Sequence, residues 1–392
     1  MLTVDEALAE CLALVTPLPT ERVALRLAHG RMMPAPALAR RDQPPFAASA
    51  MDGYAVAGDP APGDGFTLTG QSAAGHGFDG VVGPGQAVRI FTGAPVPQGA
   101  TRVIIQEDVR RDGDRITVNP GADRASHIRA MGQDFRIGDG LAPRRLSAHD
   151  LALLAAMNLA EVPVTRRPSV ALIATGDELV MPGEVPSASQ IIASNTFALA
   201  ALIEAEGGVA RFLPIARDTR ADLRAVLELA LDADLIITIG GASVGEHDLV
   251  ADVTAEMGMQ RAFWKIAMRP GKPLMAGRLQ GKPVLGLPGN PVSAIVCCHL
   301  FVLPMIRALL ARTDIAPPTR RARLGCDLPA NGIRAHYMRA RLADGADLPI
   351  VTPFDAQDSA LLRILSEADA LLIRPIDDPA RTAGETVTYL PL

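Results

Sequence analysis

Asp234-Leu235-Ile236-Ile237-Thr238-Ile239-Gly240-Gly241 is an apolar, β-branched run that flows into a glycine pair. It reads as a strand entering a ligand-type loop. Working outward, 170–175 is a second strand, followed by a long loop. Ser194 or Asn195 caps a helix that ends at Gly207-Gly208, and 209–215 is the next strand. Thr219 caps another helix before 234–239. Beyond the glycine pair, a helix from Asp248 ends near Gly258, 283–287 is a further strand, and Pro291 opens the last long helix. Strands separated by helices predict a parallel sheet covered by helices over 169–312.

The flanks differ. Thr3 and Glu6 form a capping box, predicting a helix to about Val15. Between 46 and 143, short β-like runs (66–69, 87–92, 102–106, 116–118) alternate with Gly, Pro and Asp-Gly turns, as in a small β-rich domain. Ser147 caps a helix through Met157. From 317 to 392, short strands at 321–326, 336–342, 350–352, 370–375 and 386–390 predict a small β-barrel or sandwich. The fold class is therefore multidomain α/β and β, and 392 residues accommodate two to four domains.

Composition narrows the function classes. Lys and Arg number 38 against 43 Asp and Glu, a net of −5, which argues against nucleic-acid binding. Gly and Pro make up about 17% of the chain, above the usual ~12%, but 48% of residues are hydrophobic, so the chain is turn-rich and ordered. The longest apolar stretch, 294–303, contains His299 and is expected to stop at Pro304, short of a membrane span. Residues 1–10 lack a basic run, so no signal peptide is expected. The four cysteines form no CxxC pattern and read as packing thiols, which fits a cytoplasmic protein.

In an open parallel sheet, ligands bind beyond the carboxyl ends of the strands. Those ends carry Thr175-Gly176-Asp177-Glu178, Arg217-Asp218, the loop Gly240-Gly241-Ala242-Ser243 through Asp248, and Pro288-Gly289-Asn290-Pro291-Val292-Ser293. Carboxylates recur at three of these ends, and two glycine-bearing loops enter helices, where free N–H groups attract anions. Together they suggest a phosphate-bearing ligand bound with Mg²⁺. Individually each has a plainer reading, Asp248 as a helix N-cap and Gly240-Gly241 as a tight turn. The glycine spacing is neither GxGxxG nor Walker A, because Glu246 stands where Lys is required. His247 has no spaced histidine partner.

A second cluster is cationic: Lys265, Arg269 and Lys272 lie within eight residues held by Pro270, Gly271 and Pro273. It is either a solvated basic loop or an oxyanion site. A third feature, Ser49-Ala50-Met51-Asp52-Gly53-Tyr54, enters the β-rich segment, and Asp52-Gly53 could be a simple turn.

These motifs, with Thr92-Gly93-Ala94-Pro95, Gly132-Gln133-Asp134 and Pro270-Gly271-Lys272-Pro273, occur in order over most of the chain. In this combination the chain resembles the molybdopterin molybdotransferase family, bacterial MoeA and the E domain of gephyrin. The resemblance implies an elongated homodimer with four domains in each subunit. These are a discontinuous N-terminal domain (1–45 plus 144–168), a β-rich insert (46–143), an α/β molybdopterin-binding domain (169–312) and a C-terminal small β-barrel (317–392). It implies an active site in a cleft at the dimer interface, to which the C-terminal domain and the Asp52 loop contribute. The implied reaction joins molybdate to adenylylated molybdopterin, with Mg²⁺, to give the molybdenum cofactor and AMP.

Carried over residue by residue, Glu178, Asp218 and Asp248 form the acidic, metal-handling side. Arg269, Lys272, Ser293, Arg339 and Ser359 line the oxyanion side, with Lys265 close by. Gly240, Gly241, Ser243, Pro273 and Asn290 contribute to substrate binding, and Asp52, Thr92 and Asp134 match functional positions in the N-terminal half. Arg269 stands where many relatives have Lys. The implied partners are the small-molecule substrates, a second copy of the chain, and transiently the adenylyltransferase or recipient molybdoenzymes. Two other readings share these features: the adenylyltransferase of the same pathway, and a non-catalytic cofactor-binding scaffold.

Overall fold

The computed structural model describes residues 1–241 and 249–392. They form two compact units, one of residues 1–21 with 164–392 and one of residues 22–163.

The first unit is built on a six-stranded sheet. Its spatial order is Val209–Phe212, Ser169–Ala174, Leu235–Ile239, Lys282–Leu287, Met275–Leu279 and Gln260–Trp264. The first four strands run parallel, as the alternation of strand and helix predicts. The last two join antiparallel through a hairpin, an extension that the sequence pattern did not reveal. Three residues of the outermost strand, Gln260, Arg261 and Ala262, are exposed, so it lacks the continuous apolar signature of its neighbours. The strand from Val209 ends at Phe212 and not at 215, because Pro214 has no N–H to give to a ladder.

Alternation along the strands divides the interior into two layers. Val170 and Leu172 pack with Leu199, Ile203, Phe301 and Met305 on one face. Ala171 and Ile173 pack with Leu223, Leu227, Val250 and Val253 on the other. The helix Val4–Ala13, capped by the Thr3–Glu6 box, places Ala7 and Cys11 in the first of these layers. Its apolar face packs it against the α/β core, whereas the sequence reading places it in a domain of 1–45 plus 144–168. Burial pushes the Cys11 thiol up to about 12, with Glu10 acting in the same direction.

The helix beginning at Pro291 does not stop at Pro304. Its turns widen to π geometry over Cys298–Val302, where the Leu303 amide donates to the Cys298 carbonyl, and Leu303–Leu309 continues. The wider turn accommodates a proline that would otherwise break the ladder. This helix is long and apolar enough to cross a membrane, but nearly all of it is buried inside the protein.

The C-terminal strands close into a five-stranded barrel. Ala335–Ala343 pairs with both Ile350–Pro353 and Ala370–Arg374, and Arg320–Leu324 and Thr386–Pro391 complete the ring. Met268–Arg269 lies parallel against the barrel, with Arg269 opposite His336. The cationic loop is thus held between sheet and barrel.

The second unit carries another six-stranded sheet, ordered Arg102–Ile105, Gly53–Val56, Gln86–Ile90, Gly65–Ser72, Arg115–Val118 and Val109–Asp112. Its helix Ala148–Ala156 begins at a Ser147–Asp150 capping box. Gly53 sits where a Cβ would lie 2.0 Å from the Ile104 carbonyl oxygen, which explains the glycine after Asp52.

Candidate functional site

The order of the parallel strands reverses on either side of Ser169–Ala174, creating a switch point at the carboxyl edge. Backbone bonds tie that edge together. The Thr175 amide donates to the Ile239 carbonyl (3.0 Å), Gly176 to Ala216 (3.1 Å) and Gly240 to Leu287 (3.1 Å). A cleft of about 870 Å³ opens above it. Glu178, Asp218, Gly240, Gly241 and Asn290, all at strand ends, line this cleft, and Pro273 of the cationic loop joins them. Gly240 has φ +95°, and a Cβ there would come within 2.9 Å of the Thr175 carbonyl oxygen. The glycine is required by both conformation and space.

The acidic loops are locked in register. The Asp218 amide donates to Asp177 Oδ1 (3.1 Å), and the Asp177 amide donates to Asp218 Oδ2 (3.3 Å). Arg217 donates to the carbonyls of Asp177 (3.2 Å) and Leu179 (3.0 Å), pinning the loop that carries Glu178. Asn195 Nδ2 donates to the Gly289 carbonyl (2.7 Å) across the cleft. Neither Arg217 nor Asn195 stands out in the sequence; only adjacency to Asp218 and the helix start marks them. Glu178 and Asp218 present exposed carboxylate oxygens, a donor set suited to Mg²⁺, which takes oxygen ligands and often only one or two carboxylates. Asp248, the third predicted acid, and Ser243 lie outside the described residues. Among the described residues no group of three metal-ligating side chains occurs.

A second cavity, of about 300 Å³, adjoins the first. Pro273 and Asn290 line both and so form the wall between them. Arg269, Lys272, Ser293 and Ser359 line the small cavity. Asn290 Nδ2 donates to Ser359 Oγ (3.0 Å), and the Val292 amide donates to the Ser359 carbonyl (3.1 Å). These bonds join the barrel's 354–361 loop to the start of the Pro291–Cys297 helix.

Two predicted cations are placed differently. Arg339 is 1% exposed and lies behind the loop. Its guanidinium donates to the carbonyls of Asp358 (2.8 Å) and Ala356 (3.3 Å) and to Gln357 Oε1 (3.3 Å). It shapes the cavity wall and does not face the cavity. Lys265 has φ +73°, and its ammonium lies 4.3 Å from the Trp264 ring centroid, outside both cavity linings. Arg334, which has no motif around it, lines the small cavity instead. Nearby, burial pulls His336 down to about 4, and the guanidiniums of Arg269, Arg374, Arg339 and Arg334 act in the same direction.

The second unit brings Asp52 and Thr92 together. Asp52 Oδ1 accepts from the Thr92 amide (2.7 Å) and hydroxyl (2.8 Å), which hold its carboxyl below the usual range. Asp134 is exposed, and its amide donates to the Gln43 carbonyl (2.9 Å).

Three family models cover the chain in order. They are the MoeA N-terminal region (domains I and II) at residues 2–158, a probable molybdopterin-binding domain at 171–308, and the MoeA C-terminal region (domain IV) at 321–392. The chain is 34% identical to molybdopterin molybdenumtransferase 2 of Mycobacterium tuberculosis, with 92% of each chain covered. It is also 34% identical to the molybdopterin molybdenumtransferase of Haemophilus influenzae, covering 100% of this chain and 98% of that one. A solved molybdopterin biosynthesis MoeA protein from Pyrococcus horikoshii superposes with a TM-score of 0.86 at 30% identity, covering 100% and 99% of the two chains.

Proposed function

Because the chain belongs to the MoeA family of molybdopterin molybdenumtransferases, we propose that it transfers molybdenum from molybdate to adenylylated molybdopterin, with release of AMP. The observation that carries this reading is the pair of adjoining cavities of opposite chemistry, divided by Pro273 and Asn290. The large cleft has the size and the glycine-bearing loops for a nucleotide-linked pterin. The small cavity has the fixed cations and hydroxyl donors that a tetrahedral dianion needs. A shared wall lets the two substrates react across Asn290.

In this proposal Glu178 and Asp218 orient the phosphoanhydride end, held in place by Arg217 and the paired Asp177 and Asp218 amides. Mg²⁺ held by Glu178 and Asp218 would supply charge neutralisation on the phosphates. Arg269, Lys272 and Ser293 hold molybdate, and Arg339 keeps the Ser359 loop in position. Because Arg presents a planar fork where many relatives have a point charge, Arg269 can hold two oxygens of the anion at once. The proposal extends to a cytoplasmic homodimer that meets the adenylyltransferase or recipient molybdoenzymes transiently. Light scattering on the purified chain tests the dimer.

The decisive test is incubation of the chain with adenylylated molybdopterin, molybdate and Mg²⁺, following AMP and reconstitution of a cofactor-free molybdoenzyme. Molybdate-dependent AMP release is expected, and its absence removes the proposal. ATP with unmodified molybdopterin is expected to give no adenylylated product, which separates this reaction from adenylyl transfer. Glu178→Ala should lower turnover by at least about a hundredfold while the thermal midpoint stays unchanged.

A further inference from the structure

Resting on the oxyanion reading of the small cavity, we propose that Arg334 is a specificity-determining residue that sets the charge of the bound anion. It favours a tetrahedral dianion over a monoanion of the same shape.

Three cations line this cavity: Arg269, Lys272 and Arg334. Among the described residues none of their side chains makes a hydrogen bond or ion pair. Asp358 is the one carboxylate in the lining, so the lining carries a net of two positive charges. His336 adds no charge at neutral pH, because burial and the surrounding guanidiniums keep it neutral. Without Arg334 the same lining would carry one positive charge. The balance therefore matches a dianion only when Arg334 is present.

Arg334 is also held in place by its backbone. Asn331 Nδ2 donates to the carbonyls of Arg334 (2.9 Å), Arg374 (3.2 Å) and Pro375 (2.6 Å), fixing the turn before the Ala335–Ala343 strand. The Ala335 amide donates to the Ala267 carbonyl (2.9 Å), which sets that turn beside the Met268–Arg269 segment. Two guanidiniums are thus presented side by side, one from the Met268–Arg269 strand and one from the turn before Ala335–Ala343, an arrangement suited to fork contacts with a polyoxyanion. Concentrating like charges without internal partners is unfavourable for the free protein, and a bound anion relieves it.

The test uses calorimetric titration of the full chain with molybdate and, separately, with perrhenate, a tetrahedral monoanion, in the absence of pterin. Wild type should prefer molybdate. Arg334→Gln should weaken molybdate binding about 30-fold and perrhenate binding about fivefold, since the Coulombic loss scales with anion charge. Arg334→Lys should keep the preference for molybdate while binding both anions less tightly. Equal weakening of both anions in Arg334→Gln, or no weakening, overturns the assignment, as does a wild-type chain that binds neither. AMP release measured in parallel separates this from the transferase reading. A chain that selects molybdate through Arg334 but releases no AMP keeps the inference and loses the reaction. One that releases AMP while Arg334→Gln retains full selectivity keeps the reaction and loses the inference.

Discussion

Two groups of arginines on the barrel differ in what neutralises them. In one group Arg374 and Asp378 are 3% and 5% exposed and bonded to each other. Arg374 also donates to the carbonyls of Pro329 and Pro379, and Arg381 donates to both Asp378 and Glu385. Every charge there is answered from within the chain. In the neighbouring group Arg269 and Arg334 face a cavity, and among the described residues nothing of opposite charge pairs with them. The difference separates architecture from function. Paired guanidiniums hold the barrel together, whereas unpaired ones converging on a cavity leave their electrostatics to be completed by a ligand.

The largest effect that would sharpen this contrast is expected in the paired group. Asp378→Ala leaves Arg374 buried without its carboxylate and should cost about 3–5 kcal/mol of stability, measured by urea unfolding. If the barrel tolerates it, the pairing is not structural and the contrast collapses. Arg269→Gln should do the reverse. Unfolding should shift by no more than about 0.5 kcal/mol, while the molybdate concentration giving half-maximal AMP release rises about 30-fold. Asn290→Ala removes the neutral bond to Ser359 and should raise the same concentration only about fivefold.

The smallest effect is in pH. His336 has a folded pKa of about 4 against an ordinary 6.5, because of burial first and the neighbouring arginines second. Its contribution to stability is therefore full above about pH 6.5 and is lost as pH falls toward 4. Asp378 behaves differently. Burial alone would raise its pKa, but hydrogen bonds from Arg381 and Arg374 outweigh that and hold it below the usual range. Its contribution is full above the ordinary carboxylate range and is lost as pH falls from that range through its lowered pKa. Thermal midpoints between pH 6.5 and 4 should fall in wild type and fall less steeply in His336→Gln. The remaining slope should come from His299, which burial and Arg307 also lower to about 4.

Much of this arrangement is legible in the sequence, because it depends on local signals. The Thr3, Ser147 and Thr219 caps, the apolar runs at 170–175 and 235–239, and the glycines after them act over a few residues, and the elements follow. The strand-end rule then brings Glu178, Asp218 and Gly240 to one cleft. What escapes is settled by long-range pairing. Arg334 faces the cavity and Arg339 does not because of the register of a barrel strand and the loop at 354–359, which no spacing encodes. The Gln260–Trp264 strand hides because an edge position lets it stay polar. The π turn that carries the helix past Pro304 likewise depends on packing around it.

The placement of Ser293 and Asn290 has a kinetic consequence. Both belong to the start of the helix that runs from Pro291 through the core of the first unit, where Val292, Ala294, Val296 and Phe301 are buried. Backbone amides in such a segment exchange with solvent only when the surrounding core opens. The floor of the small cavity should therefore persist for as long as the fold itself. Hydrogen exchange at 294–302 should be among the slowest in the chain, whether or not an anion is bound.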